Sequence, residues 1–229
     1  MAPLDPALLE LFRTYNTPTV ANAIEVFDVR PRNEGFMRPE IRCIFPNMGV
    51  MVGYAVTVKI QSISPGGKGS AIYPTEHWKD IMKVPAPRVV VVEDIDEPSG
   101  LGSLWGEVNA NMHKAMGCVG TVTNGSVRDL DEVEPLGFHL FASHIAVSHS
   151  YVRIVEVGTP VRIGGLTVRP GDLLHGDKHG VTNIPLDLAT RIPEGVQTVE
   201  TMERQIINYS KSPEFTVEGL TELFHRLRP

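Results

Sequence analysis

The pattern of apolar and polar residues predicts strands in the middle of the chain. In residues 56–61, apolar and polar side chains alternate, which predicts a half-buried strand because successive side chains of a strand point to opposite faces. Residues 88–93 hold an unbroken run of valines between charged ends, typical of a strand that is covered on both faces. Residues 118–123 predict a second buried strand, so the centre of the chain is expected to form a sheet.

Helical signals surround these strands. Asp5 followed by Pro6 and an apolar turn predicts a short N-terminal helix, and Thr19 is expected to cap a second one. Residues 107–116 carry apolar side chains at spacings of four and three, which places them on one helical face. The order of strand, glycine-rich turn, helix and strand over residues 88–123 predicts a βαβ unit with a right-handed crossover.

The second half of the chain contains shorter elements. Gly164-Gly165 is expected to turn a hairpin, and from Pro185 onward the pattern is helical with interruptions at Pro193 and Pro213. Residues 1–185 are therefore expected to form one α/β domain, and residues 186–229 a helical arm that packs on the domain or on a neighbouring subunit. The shorter strands are predicted at residues 138–142, 151–157, 161–168, 172–175 and 181–184.

Composition narrows the class of protein. The chain has 229 residues, of which 42% are hydrophobic and 21% charged, the balance of a globular protein with a substantial core. The net charge is −6 and the basic residues form no stripe, so nucleic acid is not expected as a direct partner. The two cysteines are too few for a disulfide framework or a tetrahedral thiolate zinc site. No apolar run approaches the ~18 residues that cross a bilayer, so we expect a cytoplasmic protein without a membrane partner.

A glycine-rich loop, residues 100–106, follows the predicted strand 88–93 and precedes a predicted helix. Such a loop invites a dinucleotide interpretation, but its third glycine comes one residue late for the G-x-G-x-x-G fingerprint, and no acidic residue follows where a ribose would be held. A site for a smaller anion such as a carboxylate remains open at the helix start. The simpler alternative is a turn whose glycines only permit tight packing.

A charged segment follows the predicted strand 118–123. Arg128 and Asp129 come where open α/β sheets place their ligands, at the carboxyl end of a strand. A carboxylate suits a divalent cation and a guanidinium suits a carboxylate or ketone oxygen, so the pair is a candidate site for a metal with an anionic substrate. The alternative is a solvated helix start in which Asp129 caps the helix and Glu132 completes a capping box.

Several short motifs follow one another along the chain. They are Gly106-Glu107, Gly117, Gly120, Asn124-Gly125-x-x-Arg128-Asp129-x-x-Glu132, Pro170-Gly171-Asp172-Leu173, Gly176-Asp177, Gly180-Val181 and Ile184-Pro185. In order and spacing this set resembles the RraA-like family, and the resemblance covers residues ~17 to ~185. That family includes the class II 4-hydroxy-4-methyl-2-oxoglutarate/4-carboxy-4-hydroxy-2-oxoadipate aldolases, which also decarboxylate oxaloacetate, and the RraA regulators that bind and inhibit ribonuclease E.

The resemblance implies a fold and an activity. The fold is α/β: a central mixed β-sheet with helices on both faces, similar to the swivelling phosphohistidine-type domain, plus the C-terminal helical arm. The activity is that of a divalent-metal-dependent lyase acting on short 2-oxo acids, by retro-aldol cleavage or by oxaloacetate decarboxylation through a pyruvate enolate. A homo-oligomer, trimer or hexamer, is also implied. The alternative is a non-enzymatic regulator that binds a ribonuclease, which the arm disfavours because those regulators end soon after the segment equivalent to residues 181–184.

The resemblance also implies roles for individual residues. Asp129 matches the carboxylate that ligates Mg²⁺ or Mn²⁺, and Arg128 matches the contact to the pyruvate-like part of the substrate. Glu107 matches an acid that assists proton transfer near the metal through water. The cradle for the substrate carboxylate matches Gly106 and the backbone amides of Glu107, Val108 and Asn109.

Other positions complete or depart from the family pattern. A further acid from the C-terminal arm of a neighbouring subunit completes the aldolase site through water, and Glu203 or Glu200 is the candidate here. His179 and Asn22 each stand where aspartate is common in the family, and the first of these changes bears on the substrate. His175 and His179 have the spacing of a helical zinc pair, but their glycine-flanked context is not helical. Solvated or core positions are expected for His139, His144, His149, His175 and His179.

Overall fold

The strands of this protein build one large mixed sheet and one small hairpin. The computed structural model describes residues 2–67 and 74–227, and all elements below lie within those ranges. The strands are β1 (Arg42–Cys43), β2 (Met51–Gln61), β3 (Arg88–Asp94), β4 (Ser103–Trp105), β5 (Cys118–Val127), β6 (His139–Ile145), β7 (Arg153–Val157), β8 (Val161–Ile163), β9 (Leu166–Val168), β10 (Leu173–Asp177) and β11 (Gly180–Ile184).

The order of the large sheet is β1-β6-β5-β3-β2-β10-β11, with β4 beside β5 and β7 beside β2. Strands β2, β3, β5 and β6 are mutually parallel, so their carboxyl ends lie at one edge of the sheet. The strands β1, β7, β10 and β11 pair antiparallel. The predicted hairpin at Gly164-Gly165 is confirmed as β8 and β9, and both glycines have positive φ.

The helices follow the predicted positions closely. They are α1 (Pro6–Phe12), α2 (Thr17–Glu25), α3 (Thr75–Lys83), α4 (Glu107–Ala115), α5 (Leu130–Val133), α6 (Ile192–Ser210) and α7 (Val217–Leu227). The βαβ unit is confirmed, because α4 connects β3 to β5 and these strands are parallel neighbours. The predicted C-terminal arm contains α6 and α7 and packs on its own domain, because α6 contacts α2 and α7 contacts α6. None of these helices combines the length and the apolar character that a membrane crossing requires.

The two faces of the sheet are covered by different kinds of structure. One face packs against α1, α2, α3, α4 and α6 in a large apolar core. The other face carries a smaller core formed with the β8–β9 hairpin and with Met37 and Ile41, and no described helix contributes a buried residue to it. The predicted α/β class with flanking helices is confirmed, but helices cover one face and not both.

The core under the β8–β9 hairpin corrects the prediction that residues 56–61 form a half-buried strand. Residues 56–61 belong to β2, which starts earlier than predicted and is buried on both faces instead of one. Thr57 points to the face under the hairpin and is fully buried there. The polar side of this stretch is therefore buried at Thr57 and becomes half-buried at Lys59 and Gln61, near the end of the strand.

Two predicted helix boundaries also differ. Asn16 caps α2, and its side chain accepts the N–H of Thr19 at 2.8 Å, so Thr19 supplies the donor and not the capping oxygen. Pro193 stands in the first turn of α6 and begins that helix instead of interrupting it, as expected for a residue without a backbone N–H. The break at Pro213 is confirmed, since it falls between α6 and α7.

Helix α4 presents a different side to the core than its apolar pattern predicts. Val108 is 72% exposed, whereas the buried residues of this helix are Asn109, Ala110 and His113. Polar side chains can be buried where they find hydrogen-bond partners, and both of these do. The inward side of α4 is thus polar, next to the site described below.

Candidate functional site

The candidate site lies at the edge where the parallel strands end. Strand β4 pairs with the last residues of β5, with Ser103 opposite Ser126 and Trp105 opposite Val127. Helix α4 begins directly after β4, and the chain leaves β5 at Arg128. The pairing of β4 with β5 therefore brings the start of α4 against Arg128 and Asp129, which are distant from it in sequence.

Asp129 adopts a conformation that is unusual for a residue other than glycine. Its φ and ψ are 55° and 47°, in the left-handed region, and its side chain makes no capping hydrogen bond to α5. The carboxylate oxygen Oδ2 instead accepts the N–H of Glu107 at 3.1 Å. The capping-box alternative is therefore wrong. Strained backbone of this kind costs about 1–3 kcal/mol and is concentrated at functional sites.

Gly106 allows this approach. A Cβ atom at residue 106 would lie 2.3 Å from Oδ2 of Asp129 and 3.3 Å from Cγ of Arg128. The requirement is steric, because φ of Gly106 is −156°, an extended value open to any residue. The last glycine of the loop thus makes room for a carboxylate side chain, which accounts for its presence without a nucleotide.

Arg128 has an unsatisfied donor at this point. Its Nε is buried and has no hydrogen-bond partner among the described residues. The closest acid is Asp129, at 3.9 Å between Nη1 and Oδ1, and both side chains are about one third exposed. The backbone is fixed, because the N–H of Arg128 donates to the carbonyl of Trp105 at 3.0 Å. A buried guanidinium donor without a partner is costly, and the exposed third of the same side chain can still contact an anionic ligand.

A small cleft of about 110 Å³ connects these features. Its size suits a short acid and is far below the usual several hundred Å³ of sites for larger ligands. Of the residues predicted from the sequence, Gly106, Val108, Asn109 and Arg128 line it. Glu107 and Asp129 are beside it and not in its lining. The other lining residues are Ser103, Leu104, His149 and Val152.

The amides at the start of α4 are not equivalent. The Glu107 N–H is engaged by Asp129, so it is not available to cradle a substrate carboxylate as the resemblance implied. The first hydrogen bond within α4 runs from the N–H of Ala110 to the carbonyl of Gly106, so the Val108 amide lies in the turn that has no intrahelical acceptor. The side chain of Glu107 is exposed to solvent.

Glu203, the predicted second acid, does not lie in this cleft. It is exposed on α6 and lines a different cleft of about 370 Å³ between α6 and α2, together with Asn22. The two clefts have no lining residue in common. Glu200 is also exposed on α6. Within one chain, therefore, the structure does not bring either glutamate to Arg128 and Asp129.

A buried histidine pair stands behind the cleft and was missed by the sequence analysis. The Nε2 atoms of His77 on α3 and His113 on α4 are 2.9 Å apart, and Nδ1–H of His113 donates to the carbonyl of Asn109 at 2.8 Å. The ring of His113 also packs on Trp105, with 4.7 Å between ring centroids. Burial lowers the pKa of His77 to about 3 and that of His113 to about 4, so both rings are neutral at pH 7. The pair joins α3 to α4, the helix whose first turn lines the cleft.

The histidines with zinc-pair spacing serve the packing of the N-terminal segment. His175 is fully buried, and its two ring nitrogens lie 3.0 Å from Oγ1 of Thr17 and 3.0 Å from the carbonyl oxygen of Phe12. Burial opposes ionisation of Asp177, but hydrogen bonds from the backbone of Thr17 and from His179 lower its pKa overall. His179 therefore pairs with Asp177, at 3.0 Å from Nδ1 to Oδ1. Within the described ranges there is no group of three acidic, histidine or cysteine side chains suited to a metal.

The protein is thus of the α/β class, with a small cleft lined by Arg128 and the start of α4 at the carboxyl edge of a mixed sheet. Comparison with known proteins specifies this class further. The sequence profile of the RraA-like family, described as Aldolase/RraA, matches residues 17–182, and the chain belongs to this family. The predicted family is thereby confirmed.

Individual relatives are distant. A crystal structure of an uncharacterized protein from Pseudomonas syringae superposes with a TM-score of 0.74 at 25% identity, over 98% of this chain and 96% of that one. An RraA-type protein of Streptomyces coelicolor, described as an unusual member of the RNase ES inhibitor RraA protein family, superposes with a TM-score of 0.69 at 19% identity, over 93% and 100%. A Halalkalibacterium halodurans protein, provisionally named 4-hydroxy-4-methyl-2-oxoglutarate aldolase, is 34% identical over 84 residues, 36% of this chain and 40% of its own length.

Proposed function

We propose that this protein is a divalent-metal-dependent carbon–carbon lyase for short 2-oxo acids. It would act by retro-aldol cleavage of 4-hydroxy-2-oxo acids, by decarboxylation of oxaloacetate, or by both. The main supporting observation is the arrangement at the cleft, where Arg128 is part of the lining and the Asp129 carboxylate beside it is turned away from its own helix. Both reactions pass through the same intermediate, the enolate of pyruvate, whose negative charge a cationic environment stabilises.

The chain's own groups would bind the pyruvate unit of such a substrate. The first-turn amide of Val108 and the positive end of α4 suit its carboxylate. Arg128 suits the adjacent 2-oxo oxygen, because its planar donors can hold that oxygen as negative charge develops on it. The cleft volume of about 110 Å³ matches a fragment of this size and leaves the rest of the substrate outside.

Asp129 is the residue that would hold Mg²⁺ or Mn²⁺. A single carboxylate fits these ions, because Mg²⁺ keeps several of its waters and takes one or two carboxylates plus substrate oxygens. The Asp129 side chain is one third exposed, and Gly106 provides the space in which it lies. When bound, the cation would act as a Lewis acid that stabilises the charge on the 2-oxo oxygen.

Glu107 is the group we assign to proton transfer. Its side chain is exposed at the start of α4, while its own N–H donates to Asp129. A carboxylic acid at that position can deliver a proton to C3 of the enolate, which completes either reaction. In a homo-oligomer, which we also propose, Glu203 of a neighbouring copy would supply a further acid to the site.

A second candidate function is regulation by protein binding. Its support is the Streptomyces coelicolor protein, which is described as a member of a ribonuclease inhibitor family. That protein superposes on 93% of this chain. The provisional aldolase name belongs to a relative matched over 36% of this chain, so it does not exclude the regulator. The small cleft lined by Arg128, with the Asp129 carboxylate beside it turned away from its own helix, favours the enzyme.

The deciding experiment is an assay of pyruvate release from purified protein. Oxaloacetate and 4-hydroxy-4-methyl-2-oxoglutarate are supplied with Mg²⁺, with Mn²⁺ and with excess chelator, and rates are corrected for the metal's own solution reaction. We expect turnover of at least one substrate that chelator abolishes and metal restores. Protein that is no faster than free metal on both substrates would contradict the enzyme and leave the regulator, which an assay of ribonuclease inhibition would then test.

A further inference from the structure

We propose that His149 is the base that removes the C4 hydroxyl proton of a 4-hydroxy-2-oxo acid during retro-aldol cleavage. The inference rests on the proposed function and adds to it a residue that neither the motifs nor the family resemblance indicates. Its basis is the position of His149 in the lining of the same cleft as Arg128 and the start of α4.

The backbone of His149 is held against the glycine-rich loop. Ser103 donates its N–H to the carbonyl of Ser148 at 3.0 Å, and the N–H of Val152 donates to the carbonyl of His149 at the same distance. The hydroxyl of Ser150 donates to the carbonyl of Ser62 at 2.9 Å. A Cβ at Gly102 would lie 2.6 Å from the His149 oxygen, so only glycine permits this approach. The loop is therefore part of the wall of the cleft.

One hydrogen bond sets the tautomer of the neutral His149 ring. Nδ1 lies 2.6 Å from the carbonyl oxygen of Ser150. Because a carbonyl can only accept, Nδ1 carries the proton, and in the neutral ring Nε2 has the free electron pair. No hydrogen bond to Nε2 occurs among the described residues. The ring is thus oriented by one nitrogen and has the other available as a base.

The other polar side chains that line the cleft do not offer a base. The hydroxyl of Ser103 donates to the carbonyls of Trp105 and Ser126 at 2.7 and 2.9 Å. The amide of Asn109 donates to the carbonyl of Leu104. Arg128 is a permanent cation and cannot accept a proton. Among the lining residues, only His149 provides a basic nitrogen.

The two reactions of the proposed function differ in their need for this base. In retro-aldol cleavage, Nε2 takes the C4 hydroxyl proton, the C3–C4 bond breaks, and its electron pair forms the enolate of pyruvate while C4 becomes a carbonyl carbon. Glu107 then protonates C3, and the two groups re-equilibrate their protons with solvent. Oxaloacetate has no such hydroxyl, and loss of CO₂ forms the same enolate without a proton being removed. His149 is therefore required for one reaction and not for the first step of the other.

The test compares both reactions in three variants. His149→Asn keeps an N–H that can reach Ser150 but has no basic nitrogen, and His149→Gln places an amide near the position of Nε2. His144→Asn is the matched control, an exposed histidine of β6 whose ring lies against Gly100 outside the cleft. We expect the ratio of retro-aldol kcat to decarboxylation kcat to fall by ~10²-fold in both His149 variants, the usual scale of acid–base assistance, and to stay constant in the control.

Three outcomes would overturn the proposal. Equal losses in both reactions would make His149 a structural residue of the cleft. Recovery of the ratio by His149→Gln would show that a hydrogen bond, and not a base, is needed. If the wild-type protein decarboxylates oxaloacetate but shows no retro-aldol activity, the proposed step of His149 is rejected, while the proposed lyase function stands. Absence of both activities in the wild type would instead reject the proposed function, so the two failures are distinguishable.

Discussion

Asp129 shows how one residue can be displaced from the role that its local sequence favours. At the first position before α5, an aspartate ordinarily caps the helix, and the following acidic residues fit that pattern. Here its left-handed backbone turns the carboxylate toward the start of α4, where the Glu107 N–H binds it. The conformation costs local energy, and tertiary contacts with a different helix hold it.

Glu107 is the residue at which a catalytic and a structural role can be separated. We predict that Glu107→Gln slows turnover by ~10²-fold while it retains binding of the metal and of oxalate, because only the proton donor is removed. An acid that merely complements the helix start contributes about 0.3–1 kcal/mol, so loss of that role would lower Tm slightly and spare kcat. The measurement is kcat for oxaloacetate decarboxylation beside Tm. An intact kcat with a lowered Tm would remove Glu107 from the mechanism.

The sequence predicted some residues of the site and not others for a physical reason. Arg128 and Asp129 follow a buried strand and belong to a recognisable motif, so pattern and resemblance both indicated them. His149 reaches the cleft through a returning loop, and His113 and His77 meet behind α4 through helix packing. Neither a returning loop nor helix packing produces a periodic pattern or a fixed spacing in the sequence. His149 was therefore expected among solvated or core residues, and His77 and His113 were not singled out.

At the scale of elements, the close contact of α6 with α2 depends on a glycine. A Cβ at Gly195 would lie 2.6 Å from the carbonyl oxygen of Ala23 and 2.9 Å from the ring of Phe27. The first of these is a backbone atom and cannot move aside cheaply. The arm is thus attached to the domain through a buried surface that includes Ile192, Val196 and Val199.

We predict that Gly195→Val lowers the free energy of unfolding by about 1–3 kcal/mol, the usual effect of overpacking a buried contact. Urea denaturation of the purified variants measures it. Gln197→Val, at an exposed position of the same helix, is the control and should change the stability by no more than about 0.5 kcal/mol. Equal stability of Gly195→Val and wild type would show that α6 does not rest on α2 in solution.

Helix positions were more predictable than the surfaces they bury. The N-terminal cap at Asp5 and the position of α4 agree with local signals. The inward side of α4 does not, because Asn109 and His113 find buried hydrogen-bond partners that no local pattern reveals. The burial of β2 on both faces likewise depends on a hairpin that lies about a hundred residues further along the chain.

At the scale of the whole molecule, buried neutral histidines link stability to pH, and burial also lowers the pKa of His175. Burial is the largest cause that lowers the pKa of His77 to about 3 and the pKa values of His113 and His139 to about 4. In the unfolded chain each titrates near 6.5. Between pH 6.5 and about 4 the unfolded state therefore binds more protons than the folded state, and stability falls as the pH falls.

We predict that the free energy of unfolding decreases by up to about 1.4 kcal/mol per pH unit for each of these histidines below pH 6.5. Urea denaturation at pH 7, 6 and 5 gives the slope. His139→Gln should reduce the slope by about one proton, and His144→Gln, at an exposed position, serves as control. A wild-type stability that is constant from pH 7 to pH 5 would contradict the neutral buried histidines.

In the proposed function, Asp129 and the start of α4 form a metal-dependent site for the pyruvate unit. Isothermal calorimetry with oxalate, a planar analogue of the pyruvate enolate, tests it on wild type, Asp129→Ala and the control Asp131→Ala, whose residue is exposed in α5. We predict that wild type and Asp131→Ala bind oxalate only when Mg²⁺ is present, and that Asp129→Ala loses this dependence together with most of the affinity. If Asp129→Ala binds oxalate with wild-type affinity and the same response to Mg²⁺, Asp129 does not hold the metal.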